Sequence, residues 1–333
     1  MKRIILTLLS LLLLLTVAVP TLPASAGAKI DVTVAMHNAR NEEIVWGIAN
    51  RIKSELEQKS NGEMVVKLLG PEMGGERDIQ EATSRNEFQI MQSGDMGVST
   101  WGAKYAVISA PWLFPGYDAV EKVYKGKIGQ LLNEAMIKNG NVRIVGLSRR
   151  GARLLTASSA ITSPAELKGL KLRVPEIPQW VAIWKELGAL PTPVAWPEVF
   201  TALQTGVVSG QENPIMQIYE AKLYEVQKYV MMTEHLSTYF HWIANEKFFQ
   251  GLSPANRKLV EETVKTAADW GSGKQQEKAA ELRAIMEKQY GVKFVDVDKA
   301  KFIQLARPAI ERIATQQWAP EVKGLLKEVA PGW

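Results

Sequence analysis

Leu170, Leu172 and Val174 alternate with Lys171 and Arg173, the period-two pattern of a half-buried strand. Pro175 closes this strand because proline cannot donate to a ladder. Just upstream, Ser163 followed by Glu166, with Pro164 at the first helical position, reads as a capping box that opens a short helix. Gly169, a residue type that tolerates a left-handed C-cap, stops it. Arg173 therefore falls at the carboxyl end of a predicted strand, where open α/β sheets bind ligands.

The same kinds of pattern organise the rest of the chain. Ile30–Ala35 alternates as a strand, with His37 and Asn38 in the loop at its carboxyl end. Asn41 is placed to cap a helix whose Glu42 and Glu43 favour its positive end, and Ile44, Ile48, Ile52 and Leu56 form its buried face. Asn61-Gly62 is a turn and Met64–Leu69 a second strand, so a β-α-β unit opens a parallel sheet. Gly74-Gly75-Glu76-Arg77 starts the next helix, residues 88–92 read as a buried strand ending at Ser93-Gly94-Asp95, and residues 106–114 are apolar. A strand over 142–147 leads into Arg149-Arg150-Gly151-Ala152-Arg153, where the chain crosses into a second lobe, and residues 234–244 cross back. From Ser253-Pro254 a helical pattern runs to Tyr290 and stops at Gly291. At ~1.5 Å per residue this helix is roughly 55 Å long, enough to span both lobes. Gly271 and Gly273 should weaken its middle. Residues 294–297 form a short strand and residues 299–330 tail helices. The expected fold class is α/β, with lobe I over 27–150 plus 239–280 and lobe II over 151–238 plus 281–333.

Composition places this chain in a compartment. Met1-Lys2-Arg3 is a basic start, residues 4–19 are apolar, and Ala24-Ser25-Ala26 offers a cleavage site. These are the parts of a secretory signal peptide, with cleavage expected after Ala26. The apolar run ends at Pro20, short of the roughly 18 or more residues of a membrane span. Removing Lys2 and Arg3 takes the formal charge from +5 to +3, too mild and too dispersed to imply nucleic acid or an anionic membrane. There is no Cys, hence no disulfide and no lipid anchor, and a soluble periplasmic monomer is expected. His37, His235 and His241 include no pair at metal-binding helical spacing, and neither a P-loop nor a nucleophile elbow is present. No cofactor or metal is expected. Paired carboxylates leave open a periplasmic enzyme acting on an acidic sugar.

The ordered pattern "LKGLKLRVP…GALPTP…WPEVFTALQTGVVSGQENP", between Leu167 and Pro214, closely resembles the substrate-binding proteins of TRAP (tripartite ATP-independent periplasmic) transporters. The likeness extends over nearly the whole chain after the signal peptide. Ser209 stands where the family usually has Asp. The resemblance implies a two-lobed periplasmic binding protein fold, a long helix bridging both lobes and a ligand cleft between them. It implies that Arg173 binds a ligand carboxylate, assisted by Arg153 of the "GAR" element and by Asn213, which Pro214 holds extended. A planar guanidinium fork suits a carboxylate and does not titrate at working pH. A structural ion pair is the competing reading for Arg153, and Arg149 and Arg150 read as solvated. Glu76 and His37 match polar ligand-contacting positions of the family, and Asp95, ending a strand, is a candidate beside them; helix N-capping is the alternative for Glu76. Trp196, and more weakly Tyr239 and Trp242, are candidates to stack on a ligand ring, although core packing is the commoner fate of tryptophan. The expected ligand is a small organic acid. Hydroxyl-binding Glu76, His37 and Asp95 favour a sugar acid, with a C4-dicarboxylate or an aromatic acid as alternatives. The expected partner is a membrane permease pair, or a sensor kinase in its place.

Overall fold

The computed structural model describes residues 29–330, so the signal peptide and its cleavage site lie outside the described residues. The strands are β1 Ile30–Ala35, β2 Met64–Leu69, β3 Ile90–Ser93, β4 Val142–Ala157, β5 Lys171–Val174, β6 Leu190–Pro193, β7 Gly210–Pro214, β8 Tyr229–Met231, β9 Ser237–Asn245 and β10 Lys293–Val295. The helices are α1 Glu43–Lys59, α2 Glu76–Ser84, α3 Asp95–Trp101, α4 Tyr117–Lys125, α5 Lys127–Gly140, α6 Pro178–Glu186, α7 Val199–Gln204, α8 Ile215–Glu220, α9 Glu246–Gly251, α10 Pro254–Tyr290, α11 Lys299–Gln316 and α12 Pro320–Val329.

The strand order is β2-β1-β3-β9-β4-β7-β5-β6, with β8 joining β4 to β10. β1 pairs in parallel with β2 and β3, as a β-α-β start requires. β4 belongs to both parts of this path. Residues 142–152 pair antiparallel with β9, residues 153–157 with β7, and residues 155–157 also with β8. The ladder between β4 and β9 skips Val145 and Arg150, leaving each as the extra residue of a bulge. Gly151, at φ 96°, supplies the left-handed backbone beside the second bulge.

Helix α10 follows the sequence pattern end to end. The Ser253 hydroxyl accepts from Asn256 N–H at 3.2 Å, and Gly291, at φ 66°, stops the helix. Its Val260, Val264, Ala267 and Leu282 join the core of β1 and α1, whereas Met286 joins a second core with Leu154, Val199 and Ile218. One helix thus underlies both halves of the molecule. Gly271 is a contact point and not merely a weak spot: a Cβ there would sit 2.3 Å from Ile48 Cδ1 on α1. Around Gly273 there is open space. The two glycines therefore make opposite predictions. Gly273→Ala should raise the unfolding free energy by up to about 1 kcal/mol through helix propensity. Gly271→Ala should lower it, because overpacking at ~1–3 kcal/mol outweighs that gain. Urea denaturation of the two variants reads both signs.

Several local expectations change. Asn41 does not cap α1; it is exposed and its side-chain amide donates to Glu220 O at 2.9 Å. The N-cap is Glu42, and the Glu220 carboxylate from the end of α8 lies at the backbone of Glu43 and Ile44. A distant residue thus supplies what the local sequence only suggested. Pro164–Leu167 is a 3-10 turn and not an α-helix, with Glu166 accepting from Thr162 N–H at 2.9 Å. In β5, Leu172, Arg173 and Val174 are all buried, so strict alternation fails where the polar face of the strand is itself enclosed.

Candidate functional site

The enclosure around Arg173 begins with its own strand. Arg173 is 3% exposed, and its Nε and Nη2 donate to Val194 O at 2.9 and 2.7 Å. Among the described residues it forms no salt bridge. Burial pushes its guanidinium down to about 9 while Glu212 opposes the fall, so it remains cationic at neutral pH. A buried, uncompensated cation is costly unless an anion joins it.

Arg153, on β4, is differently placed. Its fork is bidentate on Glu212, with Nη2 2.9 Å from Oε1 and 2.5 Å from the Glu212 carbonyl. His235 Nε2 lies 2.9 Å from Glu212 Oε2, and its Nδ1 lies 2.9 Å from Thr233 Oγ1. Thr233 Oγ1 accepts from Leu155 N–H, so its own proton goes to His235 Nδ1, and His235 Nε2–H donates to Glu212. Burial pushes the Glu212 carboxyl up, but Arg153 and His235 more than offset this and hold it at about 2. Arg153 thus makes the structural ion pair while still lining one cavity with Arg173. Next to Glu212, Asn213 donates from Nδ2 to Gln211 Oε1 at 2.7 Å, which fixes its amide in the wall.

The facing wall comes from the ends of β1 and β3. Glu76 does not cap α2; Gly75 is the N-cap, and its N–H is taken by Asp78 at 2.8 Å. Instead Glu76 Oε1 accepts from Ser93 Oγ at 2.5 Å and Gly94 N at 2.8 Å, and Oε2 lies 3.7 Å from His37 Nε2. His241 Nδ1–H donates to Gly94 O at 2.8 Å, while Tyr124 Oη lies 2.5 Å from Nε2, so Gly94 is held through both its N–H and its carbonyl. Asp95 Oδ1 accepts from Ser109 Oγ at 3.2 Å, and burial raises its carboxyl to about 6 against the pull of Arg153 and Arg150. Burial lowers His37, more than Glu76 raises it.

Arg150 is the residue that sequence reasoning missed. It is 8% exposed, packs over the Phe240 ring at 4.3 Å and has no ion-pair partner among the described residues. Arg149 is half-exposed and paired with Glu121. The only local signal was the glycine after the tandem arginines, which marks the bulge.

His37, Glu76, Asp95, Arg150, Arg153 and Arg173 line one small cavity of about 30 Å³, together with Asn213 and Trp196. Trp196 is its partition. The indole lies 5.8 Å from the Arg173 guanidinium, and its Nε1 donates to Glu42 Oε1 at 2.9 Å. It also borders hollows of about 410 and 460 Å³, of which Arg173 and Glu76 line the first and His37 the second. Tyr239 and Trp242 do not reach this cavity. Tyr239 packs edge-on against Tyr117 and Tyr124 beside another hollow, and Trp242 is fully buried in the core of β1 and α1. All of β9 beyond Ser237 is buried, so the pattern along that strand could not tell the two faces apart.

A two-lobed α/β frame with buried cations facing fixed acceptors defines a receptor for a small anionic solute. The chain belongs to the family described as bacterial extracellular solute-binding protein, family 7, which residues 35–317 match, and it is a substrate-binding protein of the TRAP transporter type. A solute-binding protein of Roseobacter denitrificans is 33% identical over 312 residues, 93% of this chain and 95% of its own. The crystal structure of a TRAP periplasmic solute binding protein from that organism, with bound L-galactonate, has a TM-score of 0.83 at 30% identity and covers 91% of this chain and 99% of that one. The sialic acid-binding periplasmic protein of Vibrio cholerae is 28% identical over 315 residues, 93% of this chain and 97% of its own. Among the described residues no helix is long and apolar enough to cross a membrane.

Proposed function

We propose that this protein captures a hydroxylated organic acid in the periplasm by its carboxylate and delivers it to a TRAP membrane permease. The observation that carries the reading is the buried Arg173 guanidinium, which has no salt-bridge partner among the described residues and lines one cavity with Asn213. The carboxylate completes that missing pair bidentately. Glu76, His37 and Asp95 meet the hydroxyl-bearing part. The relatives support a sugar acid: one was crystallised with L-galactonate and another is named for sialic acid. Binding, not reaction, is the role, and the mature chain begins after Ala26. The two lobes, meeting at residues 150 and 238, close on the acid about β4, β9 and α10. A cavity of about 30 Å³ holds roughly one water, so the acid also occupies the adjoining hollow of about 410 Å³ that Arg173 and Glu76 line, and the lobes adjust around it.

A thermal-shift screen over aldonates, uronates, sialate, C4-dicarboxylates and aromatic acids tests the reading, followed by calorimetry on the hits. Stabilisation by neutral sugars with none by any acid would sink it. The partition gives a kinetic prediction. Trp196→Phe keeps the ring and removes the N–H that ties it to Glu42. Losing a hydrogen bond to a charged group, ~1.5–3 kcal/mol, should raise the dissociation rate about tenfold or more. The association rate should change little, and stopped-flow fluorescence separates the two.

A further inference from the structure

Three buried polar atoms of residues on the cavity lack a partner among the described residues: Arg150 Nε, His37 Nδ1 and Asp95 Oδ2. Arg150 reaches this place because the β4–β9 ladder skips it, and a bulge re-aims the extra side chain. Its Nη1 lies against Gly94, where a Cβ would come within 3.1 Å of it. Its acidic neighbours are Asp95, Glu76 and Glu42. Arg153 opposes the charge of Arg150 and these three acids support it, whereas on Arg173 Glu212 is the leading acid, with Glu76 after it.

We infer that Arg150 is the residue that sets ligand specificity, donating to hydroxyl groups on the acid's carbon chain while Asp95 and Glu76 accept from them. This rests on the carboxylate reading above and adds the choice among acids. A hydroxyl both donates and accepts, so it satisfies a guanidinium N–H and a carboxylate oxygen together. A second carboxylate only accepts, and it would meet Asp95 and Glu76 as like charges. An unsubstituted apolar chain would leave all three atoms unpaired, and a site built to hydrogen-bond a hydroxyl rejects the analogue lacking it. The ligand class is a polyhydroxy monocarboxylate, selected against dicarboxylates and plain fatty acids of the same length.

The experiment is calorimetry, direct or by displacement, with the six-carbon aldonates gluconate, mannonate and galactonate against hexanoate and adipate. Wild-type protein should prefer its best aldonate over both comparison acids by at least about tenfold. Arg150→Lys keeps the charge among the acids and loses the fork, so it should fold. It should weaken the aldonate by roughly 10–100-fold, the range of a hydrogen bond to a charged group. Hexanoate and adipate should change by only a few-fold. Arg150→Gln is the second variant and should show the same selective loss. An equal loss for all acids, or a wild-type preference for adipate, overturns the inference and leaves the carboxylate reading standing. If no acid binds wild-type protein, that reading fails and the inference fails with it.

Discussion

Arg173→Ala is expected to abolish measurable binding of the acid while leaving the fold intact. A carboxylate brought into the cavity without its guanidinium keeps its desolvation cost and loses its partner. Truncating one member of such a pair costs about 3–5 kcal/mol, or roughly 10² to 10³ or more in affinity. The fold survives because, among the described residues, Arg173 has no ion pair to lose and its donors meet Val194 O. Removing a buried, uncompensated charge should leave the melting temperature of the ligand-free protein little changed. Arg173→Lys keeps the charge without the planar fork and should recover only part of the affinity. Arg149→Ala, which breaks a half-exposed pair with Glu121, should bind almost normally. Calorimetry with circular dichroism compares the three. A folded Arg173→Ala that binds within a few-fold of wild type would remove the basis for the whole site.

Glu212→Ala should act in the opposite way, on stability first. It strands Arg153 and His235, both buried, without their shared carboxylate. Breaking such a pair costs about 3–5 kcal/mol, a large part of the 5–15 kcal/mol typical of a domain. The acid limb of the stability profile carries the same signature. Glu212 is held at about 2 in the fold against 4.5 as a free carboxyl. Its contribution, about 3 kcal/mol, is therefore complete above the unfolded value and is lost as pH falls through about 2. Asp95 has the reverse sign. Its folded value of about 6 lies above 3.8, so its burial penalty is full above about 6 and is relieved as pH falls towards 3.8. Wild-type protein should thus gain stability as pH falls from 6 towards 4.5 and lose it below. Glu212→Gln should flatten the loss, and Asp95→Asn should remove the gain. Denaturant titrations from above pH 6 down to about pH 2 measure both.

Much of this molecule was legible from patterns that are local in their physics. The β1-α1-β2 start, the ends of α10 and the position of Arg173 at a strand's carboxyl end depend on residues within a few positions of one another. What escaped depended on partners far along the chain. The bulge that buries Arg150 exists only against β9, so tandem arginines before a glycine read as solvated. The pairing of Arg153 with Glu212 spans 59 residues, and only the ladder between β4 and β7 brings them together. Asn41 looked like a cap because the residue that replaces it, Glu220, arrives from the end of α8. Tyr239 and Trp242 had the right chemistry for stacking, but their orientation is set by the pairing of β9 with β3 and β4.

The two bulges of β4 also bear on how this site can change by insertion and deletion. The ladder shifts by one residue at Val145 and by one more at Arg150. Each extra residue stands outside the ladder, so its loss closes the ladder up: Ile144 and Gly146 would keep Ile243 and Trp242 opposite them, and Arg149 and Gly151 would keep Tyr239 and Thr238. The faces on either side are unchanged, and Arg153 would still meet Glu212 across the ladder to β7. The bulges are therefore the points at which this strand can shed a residue singly. Losing Val145 would cost a local bend, whereas losing Arg150 would remove one side chain from the cavity and leave the rest of its wall standing.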